Sequence, residues 1–184
     1  GVVDLAPRHK DPHADGMYLS LARSLPIRRV SIYYARILST KGQAMWAKEY
    51  VGRSAARAEQ VFAVLADAER WPEWNEGVRS LQMNGPFAAG TTAVMVLPDE
   101  TALPFTFTWV EQDAGYEDLT EVPDAGVRVR VRHELSPVEG GTQITYRCEV
   151  DGPDEVAGAV GAAVSEDFDD VIASLAARAE RLGG

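Results

Sequence analysis

Six strand candidates follow one another between residues 78 and 150, and this run constrains the fold more than any other feature. Glycine, proline, asparagine or aspartate occupies the short gaps between them, as in tight turns. Because parallel strands need long crossover connections, strands joined by short turns are expected to pair antiparallel. The sequence therefore predicts an antiparallel meander, preceded by a seventh strand at residues 46–52. The six segments are residues 78–83, 91–97, 103–111, 116–122, 127–135 and 142–150.

A helix between the first strand and the meander is predicted to end at a proline that lies between two tryptophans. Apolar residues recur at helical spacing after residue 58. Pro72 disfavours helical geometry at Trp71, so we expect the helix to end there and a short turn of helix to follow. Trp71 and Trp74 then lie on a bend between elements, where cavities open. We expect Trp71 to anchor the helix and Trp74 to contact a ligand.

A long C-terminal helix, ending near Leu182, is predicted after the last strand. Its apolar residues, which include Val164 and Phe168, recur in steps of three and four. About 28 residues at 1.5 Å each give a helix of about 42 Å, long enough to cross a whole sheet. Gly158 and Gly161 lie in its first third. Two explanations for these glycines stay open, namely close backbone packing or a bend on the one hand and room for a ligand on the other.

Alternation along the strands predicts which side chains point inward. Valines alternate with arginines in residues 127–135, which places His133 on the apolar face. If the following glycine turn closes a regular hairpin, His133 lies opposite Tyr146 and Val131 lies opposite Cys148. The two inner faces then coincide, as a sheet with one buried face requires. The sequence thus predicts a histidine and a tyrosine side by side in an apolar wall.

Three features of the chain belong together, namely the segment VFAVLADAERWPEWNEGV, the order of the predicted elements, and the segment GPDEVAGAVGAAVSEDFDDVIASLAARAE. In these features the chain resembles the START/Bet v 1-like superfamily, specifically its polyketide cyclase/dehydrase and lipid transport branch. The resemblance covers residues 46–184. It implies an α+β helix-grip fold, in which a curved seven-stranded antiparallel sheet wraps around the long C-terminal helix. The resemblance also implies two short helices after strand 1 and an apolar cavity between the sheet and the C-terminal helix.

The cavity that the resemblance implies directs attention to the inward residues. In the middle strand, Phe105, Phe107 and Trp109 share one face. His133 and Tyr146 are the candidates for catalysis, because imidazole titrates near neutrality and a phenol donates a hydrogen bond. The alternative is a buried histidine satisfied by tyrosine or by a backbone carbonyl. The predicted ligand contacts are Trp71, Trp74, Phe105, Phe107, Trp109, Val131, Cys148, Val164 and Phe168.

Charge divides the chain of 184 residues into two parts. Residues 1–44 carry seven Lys/Arg against three Asp/Glu, whereas residues 45–184 carry eleven against twenty-five. We expect a basic N-terminal extension at 1–44, of which 1–16 is added or upstream sequence, and a ligand-binding domain at 45–184. The overall net charge of −10 makes nucleic acid an unsuitable partner. Met45 offers another possibility, a natural start directly before the first strand.

Residues 17–40 interleave apolar side chains with arginines, and two interpretations stay open. One is a basic amphipathic helix on a membrane surface. The other, which we favour, is an arm that packs on this acidic domain or on a second copy, as in a homodimer. No apolar run reaches the roughly 18 residues of a membrane helix. Cys148 is the only cysteine, which suits a reducing, cytoplasmic compartment.

Three functions are compatible with these features. The first is a carrier or sensor that binds a small hydrophobic molecule, such as a polyketide, a lipid or an isoprenoid. The second is a cofactor-free cyclase or aromatase that uses His133 and Tyr146 as acid/base groups. The third is an interaction domain whose own side chains fill its core. We expect no cofactor and no metal, because nucleotide motifs are absent and two of the three histidines lie in residues 1–16.

Overall fold

A computed structural model describes residues 43–183, in which a curved antiparallel sheet surrounds a C-terminal helix in two segments. This is the predicted helix-grip fold. The strands are β1 (Gln43–Ser54), β2 (Ser80–Met83), β3 (Thr92–Val96), β4 (Ala102–Glu111), β5 (Gly115–Val122), β6 (Val127–Val138) and β7 (Gly141–Pro153). The α-helices are α1 (Ala58–Ala66), α2 (Asp154–Val164) and α3 (Phe168–Gly183), and 3₁₀ turns cover Ala68–Glu73 and Pro123–Ala125.

The sheet has the order β1-β7-β6-β5-β4-β3-β2, and every neighbouring pair is antiparallel. The first strand therefore pairs with the last, while the remaining strands form the predicted meander. The inner face of the sheet is the one that packs against the helices. The predictions for residues 1–16 and 17–40 lie outside the described residues. Between residues 43 and 183, no helix combines the length and hydrophobicity required to cross a membrane.

The hairpin of β6 and β7 has the predicted register. His133 pairs with Tyr146, and Val131 pairs with Cys148. All four side chains are buried, whereas Arg130 on the same strand points outward and is exposed. The prediction from alternation is therefore confirmed, and it places the histidine and the tyrosine next to each other on the inner face.

Strand β4 departs from simple alternation at a β-bulge. Phe107 pairs with Asp118, but Trp109 pairs with Glu117, so the register shifts between Phe107 and Trp109. A bulge of this kind turns the side chains that follow it to the opposite face. Trp109 consequently lies on the outer face, where the Arg132 guanidinium sits 4.0 Å from its ring centroid. The prediction that Trp109 shares an inward face with Phe107 is wrong, and Val110 packs against the core instead.

The C-terminal helix is interrupted between α2 and α3. Ser165, which is buried at the break, donates its hydroxyl hydrogen to the carbonyl oxygen of Gly161 at 2.7 Å. Its oxygen lies 2.7 Å from the Tyr50 hydroxyl, which therefore acts as the donor. A serine that bonds to the carbonyl four residues earlier tends to bend a helix. The apolar stripe runs through the break, which is why periodicity alone predicts one continuous helix.

The two glycines of α2 pack against Trp46 on the inner face of β1. A Cβ atom at Gly161 would overlap the indole ring of Trp46, and one at Gly158 would lie 3.8 Å from its Cδ1. Glycine is thus required at residue 161 for the helix and the edge strand to approach each other. Of the two explanations left open by the sequence, close packing holds for Gly161.

Candidate functional site

Four polar side chains meet on the inner face at the centre of the sheet. β5 contributes Tyr116 and Asp118, β6 contributes His133, and β7 contributes Tyr146. The ring of His133 stacks on Tyr116 with centroids 4.0 Å apart and an interplanar angle of 14°. The Tyr146 ring meets His133 edge-on at 4.2 Å. Strand alternation alone therefore brings the two predicted catalytic candidates into contact with two further polar residues.

Sequence reasoning missed two members of this cluster, Tyr116 and Asp118. The Oδ2 of Asp118 lies 3.8 Å from Nδ1 of His133, and the Asp118 side chain is 17% exposed. Asp118 pairs with Val131, an inward residue of β6, so it points inward as well. The signal was available in the sequence, because a regular hairpin between β5 and β6 places Asp118 opposite Val131.

Burial shifts the pKa values of Asp118 and His133 and so changes their protonation. It raises the pKa of Asp118 to about 8, with a further contribution from the negative charge of Glu117. It lowers the pKa of His133 to about 3. Burial also raises the pKa of Tyr146. At neutral pH the carboxyl group is therefore mainly protonated and the imidazole is neutral, which gives the cluster one carboxylic proton donor beside one unprotonated imidazole nitrogen.

Two buried nitrogens have no hydrogen-bond partner among residues 43–183, namely Nδ1 of His133 and Nε1 of Trp74. An unsatisfied buried polar atom costs about 1–3 kcal/mol, so such atoms call for a partner such as a water or a ligand. Trp71 differs, because its Nε1 donates to the carbonyl oxygen of Leu65 at 2.9 Å. Its ring also stacks on Tyr116. The geometry matches the anchoring role predicted for Trp71, and the ligand contact of Trp74 stays a prediction.

The other predicted contact residues surround the cluster with apolar groups. Phe168 meets Tyr146 edge-on at 5.5 Å, and Phe105 meets Phe107 at 5.1 Å. The side chains of Val131, Cys148, Phe105, Phe107 and Phe168 are buried, and Val164 packs against the core from the helix side. Burial raises the pKa of the Cys148 thiol to about 12, so the thiol is un-ionised at neutral pH.

Two depressions lie away from this interior. One, of about 230 Å³, is on the outer face, where Arg130 bridges Glu117 and Glu149 at 3.3 and 3.5 Å. The other, of about 210 Å³, is at the turn between β5 and β6. The interior beside His133 is instead occupied by aromatic rings in mutual contact. A ligand there must displace at least one side chain.

Residues 47–180 match the sequence model of the family described as polyketide cyclase / dehydrase and lipid transport. The chain belongs to this family. The matched range runs from β1 into α3 and so contains the whole inner-face cluster. The chain matches no curated protein sequence.

Solved structures of several other proteins share the architecture of this chain at low sequence identity. Ara h 8.0201 is 13% identical with a TM-score of 0.61, covering 75% of this chain and 99% of its own. Norcoclaurine synthase from Thalictrum flavum, solved with dopamine and hydroxybenzaldehyde, is 17% identical with a TM-score of 0.62, covering 77% and 93%. The di-domain ARO/CYC StfQ of steffimycin biosynthesis is 13% identical with a TM-score of 0.63, covering 75% and 52%. At these identities the likeness shows the fold alone.

Proposed function

We propose that the protein binds a small hydrophobic molecule between the inner face of the sheet and the C-terminal helix, as a carrier or a sensor. The observation that carries this proposal is the buried Nδ1 of His133, which lacks a hydrogen-bond partner among the described residues and lies 3.8 Å from the Asp118 carboxyl. Ligand sites are mostly apolar with a few placed polar groups, and this cluster has that composition.

The protonation of the cluster favours a neutral ligand with a carbonyl or hydroxyl group. A protonated Asp118 can donate to a carbonyl oxygen, and a neutral His133 can accept from a hydroxyl. An anionic ligand would be buried beside a His133 that is neutral and so supplies no positive charge to pair with it. The rings around the cluster supply the apolar contacts for the rest of the molecule.

Native mass spectrometry of the freshly purified full chain tests this proposal. We expect a bound molecule of a few hundred daltons that organic solvent extracts, and a reduced bound fraction in His133→Ala. Arg128→Gln is the matched control, because Arg128 lies on the same strand, faces outward and is exposed. Absence of any bound molecule, together with no binding of added hydrophobic compounds, would contradict the proposal and favour an interaction domain with a filled core.

A second candidate is a cofactor-free cyclase or aromatase, and the short distance of 3.8 Å between the Asp118 carboxyl and Nδ1 of His133 favours it. In an aldol cyclisation, His133 would take a proton from the carbon between two carbonyl groups, but burial lowers its pKa to about 3, which makes the imidazole a weak base in this state. Asp118 or Tyr146 can give a proton to the carbonyl oxygen that accepts the new carbon–carbon bond. If His133→Ala retains binding of the extracted molecule but loses its conversion, the protein is an enzyme. Unchanged conversion would remove His133 from the mechanism.

A further inference from the structure

The loop between β2 and β3 places an aromatic ring inside the protein. Phe87 lies in the middle of this loop, residues 84–91, and its ring contacts three others. The centroid distances are 4.8 Å to Phe107, 5.3 Å to Tyr116 and 6.0 Å to Phe62. Phe107 and Tyr116 belong to the inner face of the sheet, and Phe62 belongs to α1. The Phe87 ring therefore fills the space between that helix and the sheet.

This ring is held differently from its neighbours. Phe107 and Tyr116 are fixed by strands in the middle of the sheet and are buried, whereas Phe87 comes from a loop and is partly exposed. Backbone hydrogen bonds hold the loop from Asn84 to Thr92 at 2.9 Å, from Gly90 to Phe107 at 2.7 Å and, within the loop, from Thr91 to Ala88 at 3.1 Å. Gly90 has a φ of 89°, so the loop turns there at a residue that tolerates left-handed geometry. If the bond from Gly90 to Phe107 opens, Phe87 can thus leave the interior while β2 and β3 stay paired.

The position of Phe87 connects it to the polar cluster. Tyr116, which it touches edge-on, stacks directly on His133. Phe107, which it also touches, pairs with Asp118 in the sheet. A flat ligand that replaced the Phe87 ring would keep its edge-to-face contacts with both rings. It would also extend toward the Asp118 carboxyl and the His133 imidazole, which lie next to these two rings on the inner face.

We infer that Phe87 is a plug that occupies the ring-binding part of the ligand site, and that the aromatic ring of a ligand takes its place. This inference rests on the proposed ligand-binding function and adds to it both a moving part and a ligand class. The ligand is a fused or linked aromatic molecule, with one ring in the position of Phe87 and a hydroxyl or carbonyl group directed at Asp118 and His133.

If Phe87 competes with the ligand for the same space, removal of the Phe87 side chain should increase the affinity for the ligand. In the wild type, a bound ring must first expel the Phe87 side chain from its apolar contacts into water. Phe87→Ala leaves an apolar space already open, and apolar cavities of this kind bind aromatic molecules. We expect 2-naphthol, titrated into the full chain by calorimetry, to bind Phe87→Ala about 10- to 100-fold more tightly than the wild type.

Phe105→Ala is the matched control, because it deletes an equal ring from the same inner face, from a strand and not from the loop. A comparable increase of 2-naphthol affinity in Phe105→Ala would mean that any new cavity in the core binds the probe. That result would overturn the role of Phe87 as a plug. Equal binding by the wild type and Phe87→Ala would also overturn it, while leaving the proposed function intact. Binding by none of the three proteins would overturn the plug, while the proposed function is decided by the native mass spectrometry described above.

Hydrogen exchange of the wild type provides a test that needs no variant. Saturation with 2-naphthol is expected to accelerate exchange of the Gly90 amide, whose bond to the Phe107 carbonyl closes the loop, by at least severalfold. The Leu135 amide, bonded to the Ala114 carbonyl at 2.8 Å between β6 and the β4–β5 turn, is the internal reference and should not accelerate. Bound 2-naphthol with unchanged exchange at Gly90 would overturn the plug.

Discussion

The Asp118 carboxyl oxygen lies 3.8 Å from Nδ1 of His133, on adjacent strands and on the inner face of the sheet. Burial moves the two pKa values in opposite directions, to about 8 for Asp118 and about 3 for His133. Each group is thereby held in its uncharged form through neutral pH. The two groups therefore make opposite contributions to the pH dependence of stability.

Asp118→Asn is expected to remove a loss of stability that the wild type shows as the pH rises from about 6.5 to 8. Between about pH 4 and 8 the folded Asp118 binds a proton that the unfolded chain has released, so its contribution falls as the pH rises. Folded His133 lacks a proton that the unfolded chain binds below about pH 6.5, so its contribution falls as the pH decreases toward 3. Between about pH 4 and 6.5 the two contributions change the unfolding free energy in opposite directions and cancel. Above that range only the contribution of Asp118 still changes with pH.

Urea unfolding at a series of pH values measures this difference. The wild type should lose stability between about pH 6.5 and 8, by at most about 1.4 kcal/mol per pH unit. The asparagine of Asp118→Asn has the shape of the aspartate but does not titrate. The unfolding free energy of this variant should stay constant across that window and fall on acidification below it. Parallel curves for the two proteins would show that the carboxyl is ionised in the folded state.

The parts of the fold that depend on local pattern were predictable from the sequence. Turn residues and alternation identified the seven strands, and one regular turn placed His133 beside Tyr146. The outward position of Trp109 was not predictable in this way, because a bulge is a property of two paired strands and leaves no mark in one of them. The break at Ser165 was missed because the apolar stripe runs through it, and one of the two partners of Ser165, Tyr50, is 115 residues away.

The glycines of α2 should respond oppositely to alanine. Gly161→Ala forces a methyl group into the Trp46 ring, so we expect a loss of about 1–3 kcal/mol of unfolding free energy. Gly158→Ala meets only a contact of 3.8 Å, and the better helix propensity of alanine should add up to about 1 kcal/mol. Thermal or urea unfolding of the two variants distinguishes them. Equal effects would mean that Trp46 does not pack against α2.

Ser165 and Tyr50 are expected to act as one unit. Ser165→Ala leaves the buried Tyr50 hydroxyl without its partner and should cost about 1–3 kcal/mol of unfolding free energy. Tyr50→Phe removes the same bond but leaves Ser165 bonded to the Gly161 carbonyl, so about 1 kcal/mol is expected. The double variant should lose less than the two single losses combined. Strict additivity in urea unfolding would contradict a bond between them.

Trp109 lies on the outer face of the sheet and Trp71 packs against the inner face, so we expect their substitution to affect stability differently. Trp109 lies outside under Arg132, so Trp109→Ala should cost about 0.5–1 kcal/mol of unfolding free energy and leave ligand affinity unchanged. Trp71 is buried against Tyr116 and bonded to the Leu65 carbonyl, so Trp71→Ala should cost about 3–5 kcal/mol. Urea unfolding and 2-naphthol calorimetry on both variants check this. A loss of binding in Trp109→Ala at unchanged stability would place a ligand on the outer face, against the proposed site.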